Sequence, residues 1–282
     1  MLARVPASSA NLGPGFDTLG VALRLWTEVS VTPSDRLRIE VVGDGAGFAK
    51  NGTHFAAKIV RHVLGHDRVH LQITSDVPVS RGLGSSAALA VAVVAACGHP
   101  DPLTVVGLLE GHADNAAACV LGGLVTATMI DGKAVASRLP LDPDLTFVAM
   151  IPDQPLSTKE ARHALARDVP LTDAVFNLGR MGAVIAGMAD HRRLRPEVFA
   201  DRLHQTQRAP LFPSSPMLLS AVVAAGALGS CWSGAGPTLL AICHRTKAAA
   251  VRDAAAEAMV RGGVVGRALI LDPDPIGLVV TA

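Results

Sequence analysis

The chain has 282 residues, enough for two compact domains with a real core, and a formal charge of +1 that provides no global pull toward nucleic acid or an anionic membrane. Half of the residues are hydrophobic, mainly Ala, Val and Leu, while aromatics make up 3% and Tyr is absent. Such a core fills its volume with small side chains in closely packed helices, which indicates a soluble, mixed α/β protein.

In chain order, Thr18–Leu23, Thr27–Thr32 and Arg36–Val42 read as strands, the second alternating Thr27, Val29 and Val31 against Glu28, Ser30 and Thr32. Gly43-Asp44-Gly45-Ala46-Gly47 reads as a turn, since Phe48 stands where a GxGxxG pattern requires glycine. A helix is expected from Thr53 as N-cap to Leu64, stopped by Gly65, followed by a strand over Arg68–Thr74. A helix of small residues follows over Ser85–Cys97, then helices near Pro102–His112 and Asn115–Leu121 and strands near Leu124–Met129 and Thr146–Ile151. The second half reads as helices over Thr158–Arg167, Thr172–Ala189 and Pro216–Ala227. Two strands about a glycine turn within Ser230–Cys243, a helix over Lys247–Arg261 and two closing strands complete it. This order suggests a sheet covered on one face by helices, an α+β arrangement, with a soft boundary near Pro152.

Several features favour plain readings. Met1-Leu2-Ala3-Arg4-Val5-Pro6 lacks the apolar core of a signal peptide, and runs such as Ala87–Cys97 are too short to span a bilayer. Cys97, Cys119, Cys231 and Cys243 are widely spaced and form no CxxC pair, so they read as reduced core residues of a cytoplasmic protein. His62 and His66 are separated by Gly65 and read as ordinary histidines. Arg192-Arg193-Leu194-Arg195, with no aromatic residue interleaved, reads as a solvated helix end or loop.

The stretch Pro78-Val79-Ser80-Arg81-Gly82-Leu83-Gly84-Ser85-Ser86-Ala87-Ala88 is the most informative. It follows an expected strand and opens a helix. Its glycines permit close approach of a ligand to the backbone, and Ser85 and Ser86 lie where free N–H groups and the helix dipole favour an anion. It is a phosphate cradle without the lysine of a Walker A loop, so phosphate charge calls for a divalent metal. On local physics alone, a glycine turn followed by a serine N-cap explains it equally well. Neither Gly84-Ser85-Ser86 nor Ser233-Gly234-Ala235-Gly236 completes the GxSxG of a serine-hydrolase elbow.

Pro78–Ala88 resembles the PxxxGLGSSAA nucleotide motif of the GHMP kinases. Val5–Asp17 resembles the opening signature of their homoserine kinase branch, and Ser233-Gly234-Ala235-Gly236-Pro237-Thr238 resembles the third, glycine-rich family motif. The three occur in family order over residues 5–238. The resemblance implies an α+β, two-domain GHMP kinase fold, with an N-terminal part like ribosomal protein S5 domain 2 and a ferredoxin-like C-terminal part. On this reading residues 1–151 form an N-terminal ATP-binding domain and residues 152–282 a C-terminal domain that completes the substrate pocket.

The same resemblance implies ATP and Mg²⁺ as cofactors, homoserine as small-molecule substrate, no nucleic-acid or membrane partner, and a homodimer as the expected assembly. Residues 78–88 would bind nucleotide. Ser86, or its neighbour Ser85, and Glu110 would hold the metal, although Glu110 stands nearer the His112-Ala113-Asp114-Asn115 run than in many relatives. Asn11, Asp17, Arg162 and Arg208 would bind substrate, with Asp17 for the ammonium and the arginines for the carboxylate. Thr158 would lie near the reacting hydroxyl, a helix N-cap being its plain reading. Asn115 would position that hydroxyl, and Asp114 would be either the N-cap of the next helix or a base. Phosphoryl transfer through a loose transition state tolerates the lack of a dedicated base. Another small alcohol, such as threonine or an isoprenoid precursor, and a non-catalytic ligand sensor are the alternatives.

Overall fold

The computed structural model describes residues 1–281. Strand β1 (Leu2–Ala10) pairs antiparallel with the long β2 (Leu19–Pro33). The two segments expected at Thr18–Leu23 and Thr27–Thr32 are therefore one continuous strand. It has two further partners: Leu19–Val21 pair with a later strand, and Thr27–Pro33 pair with another. Strand β3 (Arg38–Gly43) leads through helix α1 (Phe55–Leu64) to β4 (Val69–Ser75), and the crossover makes these two strands parallel. Helix α1 begins one residue later than expected. His54, not Thr53, occupies the N-cap and accepts from the Ala56 N–H, while Gly65 stops the helix at φ 73° as expected.

Helix α2 (Ser85–Ala96) has no polar face. From Ala87 onward all but one of its residues are buried, which its alanines and valines permit by letting β1 and β2 approach closely. Helices α3 (Pro102–Glu110) and α4 (Asp114–Leu121) follow, separated at Gly111 with φ 80°. Strands β5 (Leu124–Ile130) and β6 (Lys133–Leu139) form a hairpin that joins β2. Strand β7 (Leu145–Pro152) then begins a second sheet.

The second half comprises α5 (Thr158–His163), α6 (Leu171–Ala189), the single-turn α7 (Gln205–Arg208) and α8 (Ser215–Ala224). Strands β8 (Gly229–Trp232) and β9 (Leu239–His244), helix α9 (Ala248–Arg261) and strands β10 (Gly266–Leu271) and β11 (Val279–Thr281) follow. The first sheet has the order β11-β1-β2-β4-β3, with β5 and β6 branching from β2. The second is antiparallel, in the order β10-β7-β9-β8. Helices α8 and α9 cover one face of the second sheet, packing Leu218, Val222, Val251 and Ala255 against Val148, Met150 and Trp232.

Two features of the sheets bear on how the halves of the chain divide. The break near Pro152 falls at the last residue of β7, a strand fully integrated into the second sheet, so the sheets change between Leu139 and Leu145. The second closing strand does not stay with its neighbours in sequence: β11 returns to the first sheet and pairs Leu2, Ala3 and Arg4 with Thr281, Val280 and Val279. The four cysteines are unpaired, and all but Cys97 are fully buried. The basic run is solvated as expected, with Arg192 and Arg193 leaning on Asp190. No helix among the described residues is long and apolar enough to cross a membrane.

Candidate active site

One cavity of about 670 Å³ is lined by strands of the first sheet, the glycine loop, α5, Arg208 and the turn after β8, and it collects most of the residues singled out in the sequence. Its floor is the glycine loop. Gly82 and Gly84 have φ 78° and 66°, conformations natural to glycine, and both lack room for a side chain. A Cβ on Gly82 would lie 2.4 Å from the Ser233 carbonyl oxygen, and one on Gly84 would lie 2.1 Å from Ser8 Oγ. Gly84 is the N-cap of α2 and offers no side chain, so the first N–H groups of the helix face the cavity beside Ser85 and Ser86.

Within the loop, Val79, Ser80, Gly82, Gly84, Ser85, Ser86 and Ala87 line the cavity. Four expected ligand-binding positions do not. Pro78, Leu83 and Ala88 are buried: Leu83 fills the core beneath the loop while its carbonyl accepts the Ser8 N–H at 3.1 Å. Arg81 turns away toward backbone carbonyls of β7 and the segment after it. Those four act on the loop from behind.

Glu110, the last residue of α3, faces the same cavity beside Ser86, so its short spacing from His112 does not keep it out of the site. Burial raises its carboxyl pKa above the ordinary glutamate value, with the Ser86 hydroxyl and His112 partly offsetting the effect. A desolvated carboxylate and a hydroxyl at an anion-binding helix start form a hard-oxygen donor set that fits Mg²⁺.

Asp114 is not an N-cap. It is the first helical residue of α4, behind Ala113, and its carboxylate accepts from its neighbour Asn115 N–H and from His112 Nδ1, both at 2.7 Å. Burial alone would lower the His112 pKa, but the hydrogen bond and charge of Asp114, with Glu110 and Asp17, outweigh it and hold the imidazole above its usual value. Asn115 is fixed by Ser8, whose hydroxyl donates to Asn115 Oδ1 at 2.9 Å. Its amide nitrogen is thereby left as the free donor.

The opening motif builds the other wall. Asn11, Leu12 and Asp17 have φ of 72°, 48° and 51°, and this left-handed run folds the chain back on itself after β1. Asn11 ties the fold down, with Nδ2 donating to the Gly234 carbonyl at 2.9 Å and Oδ1 accepting the Asp17 N–H at 3.0 Å. Asp17 then meets Arg162 in a bidentate pair at 2.8 and 3.1 Å. Thr158 lines the cavity from the first turn of α5. Ser157 rather than Thr158 occupies the N-cap, and no side-chain cap bond forms there.

Arg208 is no surface arginine. It is 2% exposed, and its guanidinium donates to the carbonyls of Ala161 and Gly234 and to His204 Nδ1. Burial, reinforced by the charge of Arg162, pushes its pKa down to about 10 even though Asp17 and Asp201 oppose the shift. Arg162 takes both oxygens of Asp17, whereas Arg208 bonds only carbonyls and an imidazole and, among the described residues, leaves Nη2 without an acceptor.

The opposite end is apolar, with Val41, Ile73, Phe48, Phe55 and Leu89 interspersed with Thr27, Ser75 and Asp44. None of these was expected in the site: Gly43–Gly47 and Phe48 read as a plain turn, yet Asp44, Gly45 and Phe48 line the wall. The available signal was weak, since the residues are scattered over β2, β3, β4, the turn after β3, α1 and α2.

With that geometry in view, comparison with known proteins is decisive. Residues 51–123 match the model for the GHMP kinases N terminal domain, and residues 174–261 match that for GHMP kinases C terminal. The chain belongs to the GHMP kinase family. A curated homoserine kinase from Moorella thermoacetica is 40% identical over an alignment of 294 residues covering 99% of both chains. One from Corynebacterium diphtheriae is 40% identical over 279 residues, covering 91% of this chain and 90% of that one. Among solved structures, homoserine kinase from Cytophaga hutchinsonii superposes with a TM-score of 0.86 at 26% identity, covering 100% of this chain and 97% of the other. The mevalonate kinase of L. major shares the fold, with a TM-score of 0.70 at 16% identity over 96% and 95% of the two chains.

Proposed function

We propose that this GHMP kinase transfers the γ-phosphate of ATP to the side-chain hydroxyl of L-homoserine, giving O-phospho-L-homoserine for threonine biosynthesis. The observation that carries the substrate reading is the Asp17, Arg162 and Arg208 cluster. It presents an acid and two guanidinium groups in the cavity that also holds the glycine loop. A zwitterionic alcohol needs both signs of charge there, whereas a sugar or a plain alcohol needs neither. The full-length relatives named homoserine kinase support the same reading.

The roles divide along the cavity. The apolar end suits a nucleobase, and the N–H groups of Gly84–Ser86 at the start of α2 suit its phosphates. Glu110 and Ser86 are the donors for Mg²⁺, whose chemistry there is neutralisation of phosphate charge. Arg162 and Arg208 take the substrate carboxylate and Asp17 its ammonium, so the hydroxyl projects toward Asn115 and Thr158. Asn115, with its oxygen held by Ser8, donates its amide N–H to the hydroxyl oxygen and aims it at the phosphate. Asp114 is engaged by His112 and by the Asn115 backbone, which suits an orienting role rather than that of a free base. Retention of both Ser86 and Glu110 argues against a non-catalytic sensor. Four unpaired cysteines fit the reducing cytoplasm.

The test is ADP release from ATP, with and without Mg²⁺, against homoserine, threonine, mevalonate and galactose. Homoserine-selective, Mg²⁺-dependent turnover is expected. Preference for another alcohol would overturn the substrate assignment, and ATP binding without turnover on any of them would favour a sensor.

A further inference from the structure

Arg81 is the charged member of the glycine loop, yet its guanidinium points away from the cavity. Nε donates to the Pro152 carbonyl at 2.9 Å, Nη1 to the Val79 carbonyl at 3.0 Å, and Nη2 to the Asp153 carbonyl. One acceptor lies in the loop itself. The other two lie where β7 ends and the chain runs on toward α5, the helix that carries Thr158 and Arg162. Two backbone bonds add to the junction: Leu156 N–H to the Ser80 carbonyl at 3.2 Å, and Thr238 N–H to the Arg81 carbonyl at 3.1 Å. Ser80 itself has φ 56°, a conformation it keeps only while its surroundings hold it.

Apart from the Asp17–Arg162 pair and the Arg208 bond to the Ala161 carbonyl, helix α5 has few anchors of its own. It spans six residues, Ala161 is its one buried residue, and Ser157 through Glu160 are exposed. A segment with so little burial takes its position from the neighbours that bond it. One face of the glycine loop therefore serves the nucleotide, and the other steadies the segment that grips the acceptor.

We infer that Arg81 is a positioning residue that couples the two ends of the cleft, so that nucleotide on the glycine loop orders residues 156–163 and tightens binding of the acceptor alcohol. A ligand that holds the Val79–Gly82 backbone also holds the base of the guanidinium fan, and the ordering of Pro152 and Asp153 is then already met when the second ligand arrives. The linkage is reciprocal, so the alcohol tightens nucleotide binding by the same factor. A planar guanidinium spans three carbonyls at once, whereas the compact ammonium of lysine does not. The coupling rests on the ATP-dependent kinase reading, and homoserine enters only through one arm of its test.

The experiment is amide hydrogen exchange on the full chain with Mg²⁺ and a non-hydrolysable ATP analogue, in the native sequence, Arg81→Gln and Arg81→Lys. In the native chain the analogue should slow exchange both at the start of α2 and across residues 156–163. In Arg81→Gln the α2 response should remain while the 156–163 response disappears, with Arg81→Lys intermediate. By calorimetry the analogue should tighten homoserine binding about fivefold or more in the native chain and less than about twofold in Arg81→Gln. Equal 156–163 protection in native and Arg81→Gln chains would overturn the inference, as would a native chain in which that segment ignores the analogue. Failure of homoserine to bind, with the exchange pattern intact, would instead sink the substrate assignment and leave the coupling standing.

Discussion

Replacing Arg162 by methionine separates the structural and functional roles of the Asp17–Arg162 pair. The two side chains are 36% and 33% exposed, so water screens their attraction, and the pair contributes less than about 1 kcal/mol to stability. Phe16, with its ring centroid 5.7 Å from the guanidinium carbon, adds little at that separation. The expected loss of melting temperature is therefore at most about 4 °C for a chain of this size. Binding should respond more strongly. A hydrogen-bonded contact to a charged group is worth roughly 1.5–3 kcal/mol, which corresponds to a rise of about 10- to 150-fold in the homoserine KM. Arg208 remains to hold the carboxylate and keeps the loss within that range. The ATP KM should stay within about twofold, because Arg162 lies at the opposite end of the cavity from the apolar seat. Steady-state ADP release with each substrate varied in turn, combined with a thermal melt, measures all three quantities. An unchanged homoserine KM, or an ATP KM that rises in step with it, would refute the assignment.

Ser86→Ala should slow turnover about 100-fold if its hydroxyl holds the metal, and single-turnover kinetics at saturating Mg²⁺ would reveal near-normal rates if it does not. Gly84→Ala places a methyl 2.1 Å from Ser8 Oγ and 3.0 Å from Asn115 Oδ1 at a left-handed φ, so nucleotide binding measured by calorimetry should be lost or the urea midpoint should drop steeply. Ser8→Ala frees the Asn115 oxygen, and a fall in kcat of about tenfold with an unchanged ATP KM is expected. His204 is held neutral chiefly by burial, with Arg208 also opposing protonation, and its pKa falls from 6.5 to about 4. The unfolded chain takes up this proton below about pH 6.5 while the native chain does not. Stability present above that pH should therefore decline toward pH 4, by up to about 1.4 kcal/mol per pH unit. Urea midpoints at pH 7, 6 and 5 should fall accordingly in the native chain and fall less in His204→Gln.

What could be read in the sequence follows the range of the interactions involved. Gly82, Gly84, Ser85 and Ser86 announce themselves because turn, cap and anion site are local, and the C-cap at Gly65 is equally local. Strand β1 was hidden because its residues read as a motif, and its partners lie at Gly20–Ser30 and Val279–Thr281. The continuity of β2 was hidden for the same reason: Leu19–Val21 and Thr27–Pro33 answer to different neighbours, so no single alternation runs through it. The burial of Arg208 depends on Ala161, His204 and Gly234 converging from separate segments, which spacing does not foretell. Leu83 and Ala88 belong to the nucleotide motif as a pattern, yet they fill the core beneath it.

The return of β11 to the first sheet has a consequence for how the protein is made. Strand β1 is made well before residues 279–281, the strand that pairs with the Leu2–Arg4 stretch of its outer edge. Throughout synthesis of the intervening segments, the backbone groups along that edge remain open to another chain. The long sequence separation also places the β1–β11 pairing among the slow, late contacts of folding. Chaperone demand should therefore fall on this edge, and a nascent chain arrested short of residue 279 should associate more readily than one that includes β11.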